Sequence, residues 1–297
     1  MDEVELSVVV PCHNAARTLS AQLDALTAET WDARWEIIVV DNASTDGSAD
    51  IARSYGQATP PVRVLTADRG RGAAYARNVG AAASTADSIA FCDADDVIQP
   101  GWVAAVGGAL RTHPFVSSRL DTTILNRPSL VRSRPVPSTG LPEFGGLTFA
   151  HGGACGMRKS VWDSLGGYDL AFDVLEDIEL SLRARAAGIV PVCAPDAVVA
   201  YRLRDDLASV WRQGFSYGRR RPQLQRRAAD LGLTTTGTRQ GWKSIAWLVL
   251  RIPTSGVGGP AGLDLDARQP CRRRPFACSC GAGSPPVRAS PNDWRRR

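Results

Sequence analysis

The chain has 297 residues, of which 44% are hydrophobic and 22% charged. These proportions are typical of one large or two small globular domains and exclude a disordered, collagen-like or coiled-coil chain. Residues 1–200 contain 16 basic and 24 acidic side chains, whereas residues 201–297 contain 19 and 6, so an acidic body precedes an arginine-rich C-terminal part.

Strand and helix patterns alternate through the first hundred residues. Short continuous apolar runs are typical of buried parallel strands, and the segments between them have helical spacing or a helix-capping turn. We predict strands at 6–10, ended by Pro11, and at 37–40, 62–65 and 89–92, with helices at 18–27, 48–53 and 73–83. This alternation predicts an α/β fold with an open, mostly parallel sheet flanked by helices.

The pattern weakens between residues 115 and 150, where four prolines favour loops and short strands. Later segments predict helices at 159–165, 176–187 and 207–217, and strands at 190–192 and 198–201. We therefore expect one main domain at 1–220, made of two halves at 1–112 and 113–220. A basic, amphipathic segment at 221–255 and a low-complexity, disordered tail at 256–297 follow.

Acidic side chains follow two of the predicted strands. Asp41 ends the second strand, and Asp93, Asp95 and Asp96 follow the fourth. The carboxyl ends of parallel strands border the ligand crevice of such sheets, although Asp also commonly begins ordinary turns. Three carboxylates within four residues repel each other, and Mg²⁺ or Mn²⁺ bridging a substrate phosphate would offset that repulsion.

Several motifs, in this order and spacing, resemble the family 2 glycosyltransferases. The matching stretches lie between residues 4 and 220: LSVVVPCHN at 6–14, VVDNASTDGS at 39–48, ARNVG at 76–80, FCDADD at 91–96, GGYD at 166–169 and EDIEL at 176–180. The resemblance implies a GT-A fold that binds a nucleotide-diphosphate sugar, typically UDP-linked. It also implies sugar transfer to an acceptor hydroxyl with inversion, in cell-envelope, polysaccharide or glycolipid synthesis.

Inversion by direct attack on the anomeric carbon needs no covalent enzyme intermediate. The resemblance makes 1–112 the nucleotide-binding half of a catalytic domain and 113–220 its acceptor-side half. It also implies roles for individual residues. The implied roles are the first nucleotide loop for Pro11, His13 and Asn14, a bond to the base for Asp41, a place near the diphosphate for Arg77, ribose or metal contact for Asp93, metal coordination for Asp95, and general base for Asp177.

Each of these residues also has an ordinary structural reading. Glu176 and Asp177 open a predicted helix, whose N-terminal dipole favours carboxylates whether or not they are catalytic. Arg77 lies on a predicted helix, where an arginine is most often solvated. His151 either lines the donor or acceptor pocket or is a simple loop residue.

One departure from the family concerns the metal site. Many relatives have a late histidine after the strand that here ends near Tyr201, but the three histidines are His13, His113 and His151. Water or phosphate would complete the coordination, or the site would be weaker. Alternatively, Arg202 and Arg204 would neutralise the leaving diphosphate.

The C-terminal part suggests surroundings as well as fold. The arginines at 219–221 and 226–227 are either a solvated face or a contact with diphosphate or a membrane surface, and Trp242 to Leu250 would form an interfacial helix. Nucleic-acid binding is not expected. The scattered cysteines and the absence of a signal-like start predict a cytoplasmic protein, at most at the inner face of the membrane. The tail is either native or translated out of frame.

Two other functions remain open. The run Gly70-Arg71-Gly72 begins like a dinucleotide-binding fingerprint, but Tyr75 stands where the third glycine is required and the run follows the third strand. A nucleotide-sugar-binding protein without catalysis is the other alternative, given the missing histidine.

Overall fold

The computed structural model describes residues 4–134, 136 and 140–236. An eight-stranded sheet has the order β3-β2-β1-β4-β9-β6-β10-β5, and a two-stranded sheet pairs β7 with β8. The strands are β1 (Leu6–Cys12), β2 (Trp35–Asp41), β3 (Val62–Thr66), β4 (Ser88–Cys92), β5 (Val97–Ile98), β6 (Phe115–Asp121), β7 (Glu143–Phe144), β8 (Leu147–Thr148), β9 (Ala154–Arg158) and β10 (Val192–Ala200).

Helices connect and cover these strands. They are α1 (Leu19–Thr27), α2 (Ser48–Ser54), α3 (Ala73–Ala83), α4 (Trp102–Thr112), α5 (Pro128–Ser133), α6 (Lys159–Leu165), α7 (Glu176–Ala186) and α8 (Leu207–Asp230). The first four strands of the order pair in parallel, as does β6 with β10. Strands β9 and β5 run antiparallel to their neighbours, so the sheet is mixed.

Two hydrophobic cores cover the two faces of the large sheet. Alternate residues of β1 point to opposite sides: Val8 packs with α1 and α4, whereas Val9 packs with α3 and α6. Both side chains are fully buried, which explains why the strand sequence is apolar throughout rather than alternating. A third cluster lies beneath α8, where Leu224 and Ala228 contact Phe172 and Ile178. The result is a helix–sheet–helix sandwich, which confirms the predicted fold class.

Helix α4 and strands β5 and β9 lie where the sequence predicted no element, and the structure differs from the prediction at four further points. Strand β1 continues through Pro11 to Cys12, so the proline does not end it. The region from 115 to 150 contains the seven-residue strand β6, which is almost entirely buried between β9 and β10. The two late strands are a single strand, β10, with a register shift between Ala194 and Val198. The last predicted helix is longer, since α8 reaches Asp230.

The length of α8 bears on the domain boundary. Position 220 falls inside this helix, and two side chains beyond it, Leu224 and Ala228, are buried in the third cluster. We therefore propose that the catalytic domain ends after Asp230. The rest of the predicted amphipathic segment, at 237–255, and the predicted tail at 256–297 lie outside the described residues. No helix in the described part of the chain combines the length and the apolar character needed to cross a membrane.

Candidate active site

A cavity of about 880 Å³ opens at the carboxyl ends of β1, β2 and β4. Its position follows from the topology, because β1 and β4 are parallel neighbours and the chain leaves both at the same sheet edge. Charged and polar groups of both signs line it. They include His13, Asn14, Arg17, Asn42, Arg71, Asp93, Asp95, Asn126, Arg127, Arg202, Arg204 and Asp205.

The loop after β1 is bonded to the loop after β2. The His13 Nδ1–H donates to the carbonyl of Asn42 at 2.8 Å. Asn14 adopts a left-handed backbone conformation (φ 50°), and its Oδ1 accepts the Thr45 backbone N–H at 2.8 Å. Asp46 accepts the backbone N–H of Ala16 at 2.9 Å in the same way. These bonds fix one wall of the cavity before any ligand arrives.

Asn42 connects this wall to the segment before α3. Its side-chain amide donates to the carbonyls of Ala67 and Gly70, and its Oδ1 accepts the Gly72 backbone N–H at 2.8 Å. Asn42 is 3% exposed, so these bonds are sheltered from water. The Gly70–Gly72 run is thus part of the cavity wall. It follows β3 and not the first strand.

Three carboxylates meet at the end of β4. The oxygen atoms of Asp93, Asp95 and Asp96 lie within 4.8 Å of one another. Burial, and then the charge of Asp93, raises the pKa of Asp95, and the same two causes raise the pKa of Asp96 further. The Arg202 backbone N–H donates to Asp96 at 2.7 Å, and its Nε–H donates to the Asp95 carbonyl at 2.8 Å. Arg202 therefore lies directly against the acidic cluster.

Arg77 lies behind this cluster. Its guanidinium donates to Asp93 at 2.6 Å and to Glu176, the first residue of α7, at 2.8 Å. The residue is only 3% exposed and does not line the cavity. Arg77 thus bridges two carboxylates behind the cavity, and its expected place near a diphosphate stays a prediction.

Two glycines separate Asp93 from Asp177. The Gly152 backbone N–H donates to Asp177 Oδ2 at 3.1 Å. A Cβ atom at Gly153 would lie 2.1 Å from Asp93 Oδ2, far inside van der Waals contact. The Gly152–Gly153 segment therefore lets backbone pass between the two carboxylates and holds both in place.

Burial shifts the pKa of the neighbouring groups. Burial, and then the charge of Asp177, raises the pKa of Glu176 to about 7. Burial lowers the pKa of His151, although Asp177 and Asp93 act in the opposite direction. The hydroxyl of Tyr217, on α8, has a pKa raised by burial and then by Asp177. Glu176, His151 and Tyr217 thus each have a pKa shifted toward the neutral form.

The sequence-based candidates fall into two groups in the structure. Five of them line the cavity: Pro11, His13, Asn14, Asp93 and Asp95. Three lie outside the lining, namely Asp41, Arg77 and Asp177. Asp41 is 7% exposed and accepts the Ser44 N–H at 3.3 Å, one residue before the lining residue Asn42.

Sequence reasoning missed part of the lining. Asn126 and Arg127 follow β6, a strand that the sequence did not predict, so nothing marked them as a strand-end pair. Arg71 lies in the glycine run that was weighed only as a dinucleotide fingerprint. Asn42 was the detectable one, because it follows Asp41 directly at a strand end.

The acidic cluster fits a divalent cation. Carboxylate oxygens are the ligands that Mg²⁺ and Mn²⁺ prefer, and three carboxylates converge here. Gly153 leaves Asp93 Oδ2 the space that any larger residue would fill. Asp93 Oδ1 is held by Arg77, so the carboxylate is oriented in advance.

Known glycosyltransferases and related proteins are similar to this chain in sequence. A glycosyltransferase of uncharacterised function from Escherichia coli K12, YibD, is 40% identical over 96 residues, which is 32% of this chain and 27% of YibD. The succinoglycan biosynthesis protein ExoA of Rhizobium meliloti is 27% identical over 72% of this chain and 68% of its own length. The match to YibD thus covers less than a third of that relative.

A solved structure shows the same fold. The glucosyl-3-phosphoglycerate synthase of Mycobacterium tuberculosis, in complex with Mn²⁺, UDP and glucosyl-3-phosphoglycerate, superposes with a TM-score of 0.54 at 22% identity. The similarity covers 79% of this chain and 82% of that protein. It supports the assignment of the GT-A-like sandwich.

A family model provides the remaining evidence. The model described as glycosyl transferase family 2 matches residues 7–166, more than half of the chain. The matched segment runs from β1 through α6 and includes the loops after β1 and β2, the acidic cluster and the Gly152–Gly153 segment. The chain belongs to glycosyl transferase family 2.

Proposed function

We propose that the protein transfers a sugar from a nucleotide-diphosphate sugar, UDP-linked as the family resemblance implies, to an acceptor hydroxyl with inversion at the anomeric carbon. The observation on which this rests is the cavity in which the acidic cluster faces Arg202 and Arg204, with Asp177 held nearby by Gly152. A diphosphate is bound by cationic side chains and by a metal ion, and carboxylates hold that ion.

The first loops hold the nucleotide in this proposal. His13 and Asn14 line the cavity, and the bonded loops leave little conformational freedom to lose on binding. We assign Asp41 the bond to the nucleobase. One of its oxygens accepts the Ser44 N–H, and its neighbour Asn42 lies in the cavity wall. Arg71, Arg202 and Arg204 offer cationic groups to the diphosphate.

Asp93 and Asp95 would hold Mg²⁺ or Mn²⁺, with Asp96 as a third carboxylate in reach. When bound, such an ion neutralises charge on the departing nucleoside diphosphate. Arg202 supplies a fixed cation on the same side, which suits a site that lacks the late histidine. Arg77 keeps Asp93 oriented toward the cavity.

Asp177 is the proposed general base. Its carboxylate opens α7, where Oδ1 accepts the Ile178 N–H at 2.8 Å and Oδ2 accepts the Gly152 N–H at 3.1 Å. It would take the proton of the acceptor hydroxyl as that oxygen attacks the anomeric carbon, while the bond to the diphosphate breaks and its electrons leave with the phosphate oxygen. Burial lowers the pKa of the neighbouring His151, so this imidazole does not offer Asp177 a compensating positive charge.

The acceptor belongs to envelope polysaccharide or glycolipid synthesis in this proposal, and contact with the inner face of a membrane would bring a lipid-linked acceptor to the site. The match to ExoA, a succinoglycan biosynthesis protein, supports the first part. A hexose is the proposed transferred sugar.

The test uses the full-length protein and a panel of nucleotide sugars. We expect UDP-linked hexoses to raise the melting temperature only with Mn²⁺ or Mg²⁺, and labelled sugar to be transferred to a polysaccharide or lipid-linked acceptor. The NMR coupling constant of the product then reports inversion. Stable donor binding without hydrolysis or transfer would indicate a binding protein instead, and stabilisation by NAD alone would indicate a dinucleotide site.

A further inference from the structure

Helix α8 has an outer face that the rest of the described chain does not cover. Leu207, Trp211 and Phe215 follow one another at intervals of four residues, so they share one side of the helix. They are 85%, 68% and 61% exposed. Large apolar side chains in a row are rarely left in water unless they meet a partner.

The two aromatic rings of this face stack on each other. The centroids of Trp211 and Phe215 are 5.7 Å apart and their planes differ by 6°. Arg212, Arg219 and Arg226 recur at intervals of seven residues along the neighbouring side of the helix, and all three are exposed. We call these six residues the docking face.

The opposite side of α8 is fixed to the acceptor-side half of the fold. Leu224 and Ala228 are fully buried, and Arg220 donates to Asp173 at 2.6 Å, just before α7. Arg227 bonds to Asp169. The helix therefore cannot roll to bury its apolar face without breaking these contacts.

The charge of α8 indicates the chemistry of the partner. The helix contains six arginines and a single acidic residue, Asp230. An apolar row of Leu, Trp and Phe beside arginines is the pattern of a helix that lies in a membrane interface, with rings in the acyl boundary and cations at anionic headgroups. A ligand offering phosphate alone would satisfy the arginines but leave the rings in water.

We propose that the docking face binds the surface of a bilayer that contains anionic lipid. The helix begins beside the cavity, since Arg204 and Asp205 line it and Asp206 caps α8 by accepting the Ser209 N–H at 2.7 Å. Bilayer contact there sets the entrance of the cavity at the membrane surface. This inference rests on the proposed function only for the membrane-bound acceptor, because lipid binding is measured without donor or turnover.

The experiment is co-sedimentation of the full chain with vesicles of phosphatidylcholine alone or with 30% phosphatidylglycerol. We expect binding to the anionic vesicles, weakened by salt. The double variant Trp211→Ser, Phe215→Ser should reduce the partition coefficient by at least about tenfold, and Arg212→Gln, Arg226→Gln should reduce it on anionic vesicles. Exposed positions far from the site supply matched controls, namely Val190→Ser with Val192→Ser, and Arg53→Gln with Arg69→Gln, all expected to bind like wild type.

Photo-crosslinking identifies the occupant directly. With p-benzoylphenylalanine in place of Trp211, a cross-link to lipid in the presence of anionic vesicles supports the proposal. A cross-link to a second copy, or to residues after 236 of the same chain, persisting with vesicles present would overturn it. Wild-type binding by the serine double variant would also overturn it, because the site would then be a purely electrostatic one for polyanions. Absence of vesicle binding by the wild type would overturn it too, and sugar transfer to a soluble acceptor would still test the proposed function separately.

Discussion

The guanidinium of Arg77 bonds to Asp93 at 2.6 Å and thereby joins the acidic cluster after β4 to helix α7, through Glu176 at 2.8 Å. Its Nε atom is buried and makes no hydrogen bond within the described part of the chain. Charged groups that are partly shielded from water orient each other more firmly than fully exposed groups would. One buried cation therefore fixes Asp93 relative to Glu176, the neighbour of Asp177.

Arg77→Gln should destabilise the fold. It removes a buried cation from two partly buried carboxylates, and the cost should fall below the loss of about 3–5 kcal/mol typical of a fully buried pair but above that of an exposed one. Denaturant unfolding of the full chain measures the loss. Arg53→Gln is the matched control, because Arg53 pairs with Asp50 at the exposed end of α2 and should cost less than about 1 kcal/mol. Equal, small losses for the two variants would contradict the bridging role.

Gly153→Ala should abolish metal-dependent donor binding. The added Cβ would lie 2.1 Å from Asp93 Oδ2, so the carboxylate or the segment must move. Isothermal titration of UDP with Mn²⁺ present measures the effect. Gly108→Ala is the control, since a Cβ there meets nothing within 4 Å and Ala favours the helix α4. Unchanged UDP affinity in Gly153→Ala would mean that Asp93 does not need its present position.

Asp95→Ala should remove the dependence of UDP binding on Mn²⁺. Asp95 supplies one of the three carboxylates of the cluster, and two remaining oxygen donors hold a divalent ion less well. Affinity for UDP is measured with Mn²⁺ and with a chelator, and wild type should differ between them while the variant should not. A folded variant that keeps the Mn²⁺ effect would exclude Asp95 as a metal ligand.

Asp177→Asn should separate binding from catalysis. The amide keeps the shape and can still accept the Gly152 N–H, but it cannot take a proton. Donor affinity should persist, whereas transfer should fall by about 10²–10⁴-fold, the usual contribution of a positioned general base. Turnover and donor affinity are measured on the same preparation. Near-normal turnover would move the search for the base to Glu176 or Asp173.

Glu176→Gln should flatten the pH dependence of stability. The folded pKa of Glu176 is about 7, above its ordinary value of 4.5. Between these values the folded protein keeps a proton that the unfolded chain has lost, so the free energy of unfolding falls as the pH rises through this window. The variant has no such titration. Its melting temperature should therefore decline less than that of wild type between about pH 5 and pH 8.

Glu143→Gln, on the exposed edge of β7, is the control for this pH experiment and should follow the wild-type curve. A Glu176→Gln curve parallel to wild type would show that other groups, such as Asp96, account for the change with pH.

The sequence by itself determined the elements that depend on local patterns. Mostly apolar runs marked β1, β2 and β4, because strands buried on both faces need apolar residues at nearly every position. Polar residues at the ends of those strands marked Asp93 and Asp95, which do line the cavity. The order of several short motifs then identified the family, because spacing along the chain is itself a sequence property.

Only the tertiary structure decided which distant residues meet. Strand β6 was not predicted, since Ser117 and Ser118 interrupt its apolar run, yet it is buried because β9 and β10 cover both edges. Arg77 reads as a solvated helix residue until Glu176, ninety-nine positions later, folds against it. Likewise, a Cβ atom at Gly153 would lie 2.1 Å from Asp93 Oδ2 only because β4 and β9 pair. Such contacts depend on long-range packing, which local spacing does not encode.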